Sequence, residues 1–330
     1  MKPLKVDIGL CGAFVTRRWE EPEHWMQLTR ELGYDYHSFC GDVLDPFFSG
    51  DRSYQLETAA AVREAAVRYG VEIVDFYTGT ATHRFHGLSH SDPRCRERMC
   101  EWIYRAYEIA AAMGVDVIGG RWDALSVEVL SDADRAETAW QRLVHTFRDL
   151  SVRARQAGMR ALYNEQMYIP SEVPWTLAQM ERFLLECNTD NPDGVPIRVT
   201  LDTGHVAGMH YGGSGEDLDY RAWQRRFAAQ AAIMHLQQTT PDASHHWGFT
   251  PEFNARGHIN AELLLQDIAA AHAEYGENPL SHCLPAADRV ILVVEVIPGS
   301  TRTEAVVLDE LRRTAEYLRQ YIPEGGLLLA

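Results

Sequence analysis

The chain has 330 residues, of which 46% are hydrophobic, 24% charged and 10% aromatic, proportions that are typical of a globular protein and exclude a disordered, coiled-coil or collagen-like chain. Its 31 Lys and Arg residues against 47 Asp and Glu residues give a net charge of −16, which argues against a nucleic-acid partner because the phosphate backbone is also negative. No apolar run approaches the ~18 residues that a membrane helix needs, and the first residues lack the apolar stretch of a signal peptide, so we expect a cytoplasmic protein with no membrane partner.

Short β-branched runs alternate with longer helical patterns along the first half of the chain. Strands are predicted over 6–11, 34–40, 71–77 and 115–120. Helices are predicted over about 22–32, 56–69 and 93–113, and a longer helix ends near 158. Gly33, Gly70 and Gly114 follow three of these helices, and glycine readily takes the left-handed conformation that ends a helix.

The second half of the chain repeats this alternation. Strands are predicted over 159–165, 197–202, 233–238 and 290–296. The helices between them are predicted to begin after Pro174 and to cover about 220–230, 261–275 and 303–321. The chain therefore contains eight strand–helix units in sequence.

Eight such units with short connections predict a single (β/α)8 TIM-barrel domain over residues 1–330. A doubly wound open sheet shows the same alternation and is the alternative. We favour the barrel because eight units are what closure needs and no G-x-G-x-x-G run follows the first strand. The polar, His-rich segment at about 239–259 is interpreted as an inserted loop after the seventh strand, where barrel loops usually cover the active site.

Acidic residues end three of the predicted strands, and a histidine lies in a fourth. Glu165, Asp202 and Glu295 come at or near the carboxyl ends of strands five, six and eight, and His235 lies in strand seven. Each alone has an ordinary explanation as a helix cap or an ion-pair partner. Together they meet at the catalytic end of a barrel, where burying three carboxylates requires a cation. This donor set predicts a divalent metal site suited to Mn²⁺, Mg²⁺ or Co²⁺, with Zn²⁺ less typical.

Several histidines and aromatic residues follow other strands at the same end of the predicted barrel. His205, in the run Asp202-Thr203-Gly204-His205, is a candidate for the metal or a substrate hydroxyl, the alternative being a capping Asp with an incidental His. His83 and His86 are candidate general acids or bases, although a polar surface loop also explains them. His37, Trp122, His245, His246, Trp247 and Arg256 are further candidates for substrate binding, and for the aromatic residues packing is at least as plausible.

These motifs resemble the xylose-isomerase-like sugar isomerase/epimerase superfamily. The resemblance rests on Glu165, the Leu201-Asp202-Thr203-Gly204-His205 run, Met234-His235 and Val294-Glu295-Val296, in that order along the barrel. It implies that Glu165, Asp202, His235 and Glu295 hold one divalent metal, often Mn²⁺, and that the two Glu residues exchange protons with the substrate. His205 would then bind substrate or support the site, and an oligomer is implied.

The chain departs from the ketose epimerases of that superfamily at two places. Those enzymes follow the strand-seven His with an Arg and a P-G-x-G segment, where this chain has Gln237-Gln238-Thr239-Thr240-Pro241. They also place a second Glu after the strand-five Glu, at a position that this chain fills with Ser171. Both departures concern the substrate pocket and leave the predicted metal site intact.

A metal with open coordination positions can polarise a ketone and favour removal of the neighbouring proton by a carboxylate or an imidazole. The resulting metal-bound enediolate leads to epimerisation or isomerisation of a ketose or oxo-sugar. The alternative is a lyase on 3-oxo-sugars, either the catalytic subunit of a C-glycoside deglycosidase, which would form a hetero-oligomer with a small subunit, or a 3-oxo sugar acid decarboxylase. A metal-dependent endonuclease and a non-catalytic sugar-binding protein are rivals from other classes, disfavoured by the negative charge and by the converging carboxylates.

Overall fold

The computed structural model describes residues 3–329 and contains nine strands among these residues. The strands β1–β9 are Leu4–Cys11, Tyr36–Cys40, Glu72–Tyr77, Val117–Gly120, Ala161–Glu165, Ile197–Asp202, Ile233–Leu236, Arg289–Val294 and Leu327–Leu329. The helices α1–α10 are Pro22–Glu31, Arg52–Tyr69, Pro93–Met113, Val127–Leu130, Ala133–Gln156, Leu177–Asn188, Tyr220–Phe227, Pro251–Asn254, Ala261–Ala273 and Glu304–Leu318. All eight predicted strands are present, and no helix of the described residues is long and apolar enough to cross a membrane.

The sheet closes on itself because β1 pairs in parallel with both β8 and β2. Strands β2 to β8 pair with their neighbours in chain order, so β1–β8 form a TIM barrel and the open-sheet alternative is excluded. Strand β2 pairs only with the last part of β1, from Gly9 to Cys11, so the two neighbours of β1 are offset along it. Strand β9, which the sequence pattern did not predict, pairs antiparallel with Leu4, Lys5 and Val6 at the other end of β1.

Alternation along the strands divides the core into a layer inside the barrel and a layer under the helices. In β8, Ile291 and Val293 belong to the inner cluster, whereas the residues that alternate with them, Val290, Leu292 and Val294, belong to the large outer cluster. The same period of two places Ala161 and Tyr163 of β5 inside. Continued by one more step, this period brings Glu165 and Glu295 to the inner face at the carboxyl end of the barrel.

The segment between β7 and α9 leaves the barrel two residues earlier than the sequence pattern predicts. Strand β7 ends at Leu236, and Gln238 instead pairs in an antiparallel bridge with Trp247, with backbone N···O distances of 2.8 and 3.2 Å. The short helix α8 lies within this segment. This bridge within the segment therefore takes the place of the last two residues of the predicted strand.

Candidate active site

The four predicted metal ligands converge at the carboxyl end of the barrel. Glu165, Asp202, His235 and Glu295, here called the carboxylate–histidine cluster, are all buried, and one donor atom of each lies within 4.8 Å of the others. His235 Nδ1 lies 2.8 Å from Glu165 Oε1 and 3.4 Å from Glu295 Oε1. Asp202 and His235 are register partners of β6 and β7, so adjacent strands hold them side by side.

The electrostatics of this cluster fit a bound dication. Burial lowers the pKa of His235, but the charges of Glu295 and Glu165 outweigh burial and raise that pKa to about 10. The carboxylates thus concentrate negative charge that favours a cation in this cluster, and a bound metal ion would take the place of the imidazole proton. Asp202 Oδ2 is buried without a hydrogen-bond partner in the described structure, an open position that a metal ligand requires. Three carboxylates and one imidazole provide the hard, mixed donors that Mn²⁺, Mg²⁺ and Co²⁺ prefer.

The other oxygen of Asp202 is held by the turn that follows β6. Its Oδ1 accepts hydrogen bonds from the Gly204 amide at 2.6 Å and from Gln237 Nε2 at 2.9 Å. A side chain on Gly204 would enter the space of Gln237, since an added Cβ would lie 2.3 Å from its amide carbon. The glycine of the D-x-G-H run therefore serves the orientation of Asp202, leaving Oδ2 turned toward the cluster.

Two further histidines flank the cluster. His205 Nε2 lies 3.8 Å from Asp202 Oδ2, while its Nδ1 lies 2.8 Å from the Gln166 carbonyl oxygen. Because a carbonyl only accepts, Nδ1 of His205 carries a proton and Nε2 faces the cluster. His246 Nδ1 lies 3.2 Å from Glu295 Oε2. Both histidines, which the sequence analysis names as candidates for substrate binding, border the cavity above the cluster.

The cavity, here called the central cavity, has a volume of about 560 Å³, within the usual range for a small-molecule site. Its floor includes Glu165 and Glu295 of the cluster. Its other polar and charged lining residues come from the loops after the strands and include Thr16, Arg17, Arg18, Asp42, Thr78, Thr80, His83, Arg84, Tyr168, Glu172, His205 and His246. A small polar substrate therefore has room directly above the cluster.

His83 and Glu172 form an ion pair in the wall of the central cavity. His83 Nδ1 lies 3.4 Å from Glu172 Oε1. Burial opposes protonation of His83, but the hydrogen bond and charge of Glu172, with the charge of Glu165, raise its pKa above the ordinary value. Burial raises the pKa of Glu172, but His83 and the Arg121 guanidinium outweigh burial and lower that pKa overall. The pair can therefore hold a proton at the cavity surface near neutral pH.

The sequence pattern missed Glu172. Counted from Glu165, the second Glu of the ketose epimerases corresponds to Ser171 in this chain. The chain after β5 is an irregular loop, however, in which the period of two no longer applies. The Ser171 carbonyl accepts a hydrogen bond from the Leu125 amide, which anchors that residue to a neighbouring loop. The next residue, Glu172, borders the central cavity.

Contacts with helix α10 hold the loop that carries His246. The amide of Gly248 donates to Glu310 Oε1 at 2.7 Å, and the amide of Phe249 donates to Thr314 Oγ1 at 2.8 Å. His246 has a φ of +51°, an uncommon left-handed conformation for a residue with a side chain. The two fixed amides therefore help to hold the turn that brings the imidazole of His246 to Glu295.

Comparison with known proteins agrees with this architecture. A family model for the xylose isomerase-like TIM barrel matches residues 26–286. The chain belongs to that family. It is 25% identical over 260 residues to a D-erythrulose 1-phosphate 3-epimerase of Brucella abortus (strain 2308), covering 78% of this chain and 82% of the relative.

Several solved structures have the same fold as this chain. A Rhodospirillum rubrum ATCC 11170 protein with the provisional name xylose isomerase superposes with a TM-score of 0.81 at 22% identity, covering 96% of this chain and 99% of the other. An L-ribulose 3-epimerase gives 0.65 at 17% identity over 96% and 93% of the two chains. A 3-keto-D-glucoside 4-epimerase from E. coli gives 0.62 at 14% identity over 96% and 99%.

Three predicted substrate-binding residues in the segment between β7 and α9 lie outside the lining of the central cavity. The rings of His245 and Trp247 stack at 3.9 Å with an interplanar angle of 2°, and the Arg256 guanidinium lies 4.5 Å from the Trp247 ring centre. The turn at His246 directs that residue inward while its two neighbours stack on each other. The stack stabilises the loop, and the structure does not bring it to the cavity.

His86 and Trp122 also lie away from the central cavity. His86 is exposed, and its Nδ1 lies 2.9 Å from the Ala124 carbonyl oxygen. Trp122 is fully buried, and its ring stacks on Phe147 of α5 at 5.8 Å. The loop after β3 turns between His83 and His86, so of these two histidines only His83 borders the cavity.

His37, the second residue of β2, is buried and is not among the residues that line the central cavity. Thr29 Oγ1 donates to the Trp25 carbonyl at 2.8 Å, so it accepts from His37 Nδ1, which lies 2.9 Å away. Burial lowers the pKa of His37 to about 3. Its role in the structure is therefore that of a neutral core histidine.

We expect His37 to make the protein sensitive to acid. A histidine with a lowered pKa supports stability above its unfolded-state pKa of about 6.5, and that support is lost as the pH falls toward 3. Between pH 7 and pH 4, the free energy of unfolding of the parent protein should fall because its unfolded state takes up a proton at His37. The His37→Asn variant lacks this group, so its free energy of unfolding should fall less, by up to about 3 kcal/mol. Denaturant unfolding at both pH values measures this, with the exposed His145→Asn as the control. Equal acid losses for the parent and His37→Asn would contradict it.

Proposed function

We propose that the chain is a divalent-metal-dependent sugar epimerase or isomerase that moves a proton at the carbon next to a ketone. The observation that carries the proposal is the convergence of four donor atoms within 4.8 Å of one another, at the catalytic end of the barrel. The family's sugar epimerases, among them the Brucella relative named for a phosphorylated ketose, support a ketose or oxo-sugar as the substrate.

Glu165, Asp202, His235 and Glu295 would hold the metal, for which we propose Mn²⁺. A bound dication at this place would polarise the ketone oxygen and so acidify the neighbouring C–H bond. Asp202 is fixed for this task through its Oδ1, which accepts two hydrogen bonds and leaves Oδ2 free. His205 faces the same space with Nε2, and we assign it the binding of a substrate hydroxyl.

The proton itself would be handled by the carboxylates and by the histidines paired with them. Glu165 and Glu295 border the central cavity and can accept a proton from a sugar carbon. His246 Nδ1 lies 3.2 Å from Glu295 Oε2, which places a second acid–base group beside that carboxylate. The His83–Glu172 pair offers a second proton donor in the cavity wall. Epimerisation needs two such groups, because one face of the carbon loses the proton and the other regains it.

Deuterium exchange tests the proposal. The purified protein is incubated in D₂O with Mn²⁺ and a panel of ketoses, ketose phosphates and 3-oxo-glycosides, and the products are examined by NMR. We expect deuterium at the carbon next to the ketone together with an epimer or isomer, and no exchange after chelation of the metal. A complete absence of exchange across the panel, or release of an aglycone without an epimer, would count against an epimerase.

A further inference from the structure

Two exposed arginines lie at the rim of the central cavity. Arg17 lies in the loop after β1 and Arg84 in the loop after β3, and both are exposed and line the cavity. Among residues 3–329, neither guanidinium lies within 4.0 Å of a carboxylate or donates a hydrogen bond. Arg18, which follows Arg17 in the chain, is instead hydrogen-bonded within the protein: it donates to the Gly299 and Arg302 carbonyls at 3.1 and 3.2 Å.

The charges of the central cavity are separated between its floor and its rim. The floor contains the buried carboxylates of the carboxylate–histidine cluster, which suits a cation. The rim contains the guanidinium groups of Arg17 and Arg84, which have no partner in the part of the chain that the structure describes. The rim carboxylate of Asp42 is engaged elsewhere, since it accepts hydrogen bonds from the amide and hydroxyl of Thr80 and from the Ala81 amide.

The backbone conformation of Arg17 also distinguishes it from the paired arginines of the chain. Its φ of +61° lies in the left-handed region, which residues with a side chain adopt at some energetic cost. Most arginines of this acidic chain are paired with carboxylates or carbonyls, as Arg121 is with Asp123 at 3.2 Å. An unpaired guanidinium on a strained turn at a cavity mouth is therefore available to a ligand rather than to the protein itself.

We propose that Arg17 and Arg84 form an anion subsite that binds a phosphate ester or carboxylate group of the sugar substrate. Guanidinium groups form paired, charge-assisted hydrogen bonds with the oxygens of both anions. The subsite deepens the proposed function and rests on it, since it would anchor one end of a sugar whose ketone reaches the cluster at the floor. Neutral sugars would lack this anchor and bind more weakly.

Binding of inorganic phosphate and of acetate to the metal-free protein tests the subsite without any catalysis. Calorimetry at about 50 mM salt should show that Arg17→Gln and Arg84→Gln each weaken the binding of the preferred anion roughly tenfold. The double variant should bind no measurable anion. Arg63→Gln, which removes an exposed arginine of α2 away from the cavity, is the matched control and should bind like the parent. Preference for phosphate indicates a phosphate ester and preference for acetate indicates a sugar acid.

Equal affinity of the parent and the double variant for both anions would overturn the subsite. Deuterium exchange then separates the subsite from the proposed function. With an anionic ketose, the single variants should raise KM about tenfold with kcat nearly unchanged, because the anchor is remote from the reacting carbon. If anion binding depends on the arginines but no sugar undergoes exchange, the subsite stands and the epimerase proposal fails.

Discussion

In Glu295→Gln, added Mn²⁺ should no longer stabilise the protein, and deuterium exchange should fall by at least about a thousandfold. The parent protein, saturated at about 100 times Kd, should gain about 2.7 kcal/mol from the metal, which raises its Tm by roughly 5 °C. The variant lacks one of the three carboxylates of the cluster, and its neutral amide cannot offset the dication. Thermal unfolding with and without Mn²⁺ measures the first effect, and NMR measures the second.

The control for this prediction is Glu262→Gln, which removes an exposed carboxylate in the first turn of α9. It should keep both the Mn²⁺-dependent rise in Tm and full exchange. Glu165→Gln should behave like Glu295→Gln because it removes an equivalent member of the cluster. If either cluster variant kept the full metal-dependent stabilisation, its carboxylate would not be a ligand.

His83→Asn should lower the rate of deuterium exchange about a hundredfold while leaving Mn²⁺ binding unchanged. His83 borders the central cavity and pairs with Glu172, and an acid–base group in that position typically contributes a factor of this size. His86→Asn is the matched control, since the same loop holds His86 exposed and outside the cavity lining. Equal losses in both variants would point to a general effect on the loop, and no loss in His83→Asn would remove its catalytic role.

The pH dependence of exchange offers a second readout for the same pair. Glu172 holds the pKa of His83 above its ordinary value, so Glu172→Gln should lower that pKa. The limb of the pH–rate profile that belongs to His83 should therefore move to lower pH in Glu172→Gln. An unshifted limb would show that the titrating group is not His83.

The barrel and the cluster were predictable because both follow from local periodicity. A period of two within a strand sets which side chains face the barrel interior, and parallel strands bring their carboxyl ends to one face. Glu165 and Asp202 end β5 and β6, and Glu295 follows β8 directly, so their convergence follows once the strands are recognised. Strand β9 was missed because it is three residues long and pairs with the distant start of β1.

The cavity wall was less predictable because it is built from irregular loops. Glu172 lies one residue beyond the position that a fixed offset indicates, and His83 and His86 separate because their loop turns between them. His245 and His246 are neighbours in the chain, yet the left-handed turn at His246 sends only one of them to Glu295. No spacing rule in the sequence encodes these turns.

The amino-acid sequence by itself determined the eightfold alternation, the order of the metal-binding candidates and the acidic character of the chain. Only the tertiary structure decided which loop residues face the central cavity, placed Glu172 beside His83, and left Arg17 and Arg84 at the rim without partners among residues 3–329. The physical reason is that strand periodicity is a property of neighbouring residues. Loop direction depends instead on hydrogen bonds between segments far apart in the chain, such as those from Gly248 and Phe249 to helix α10.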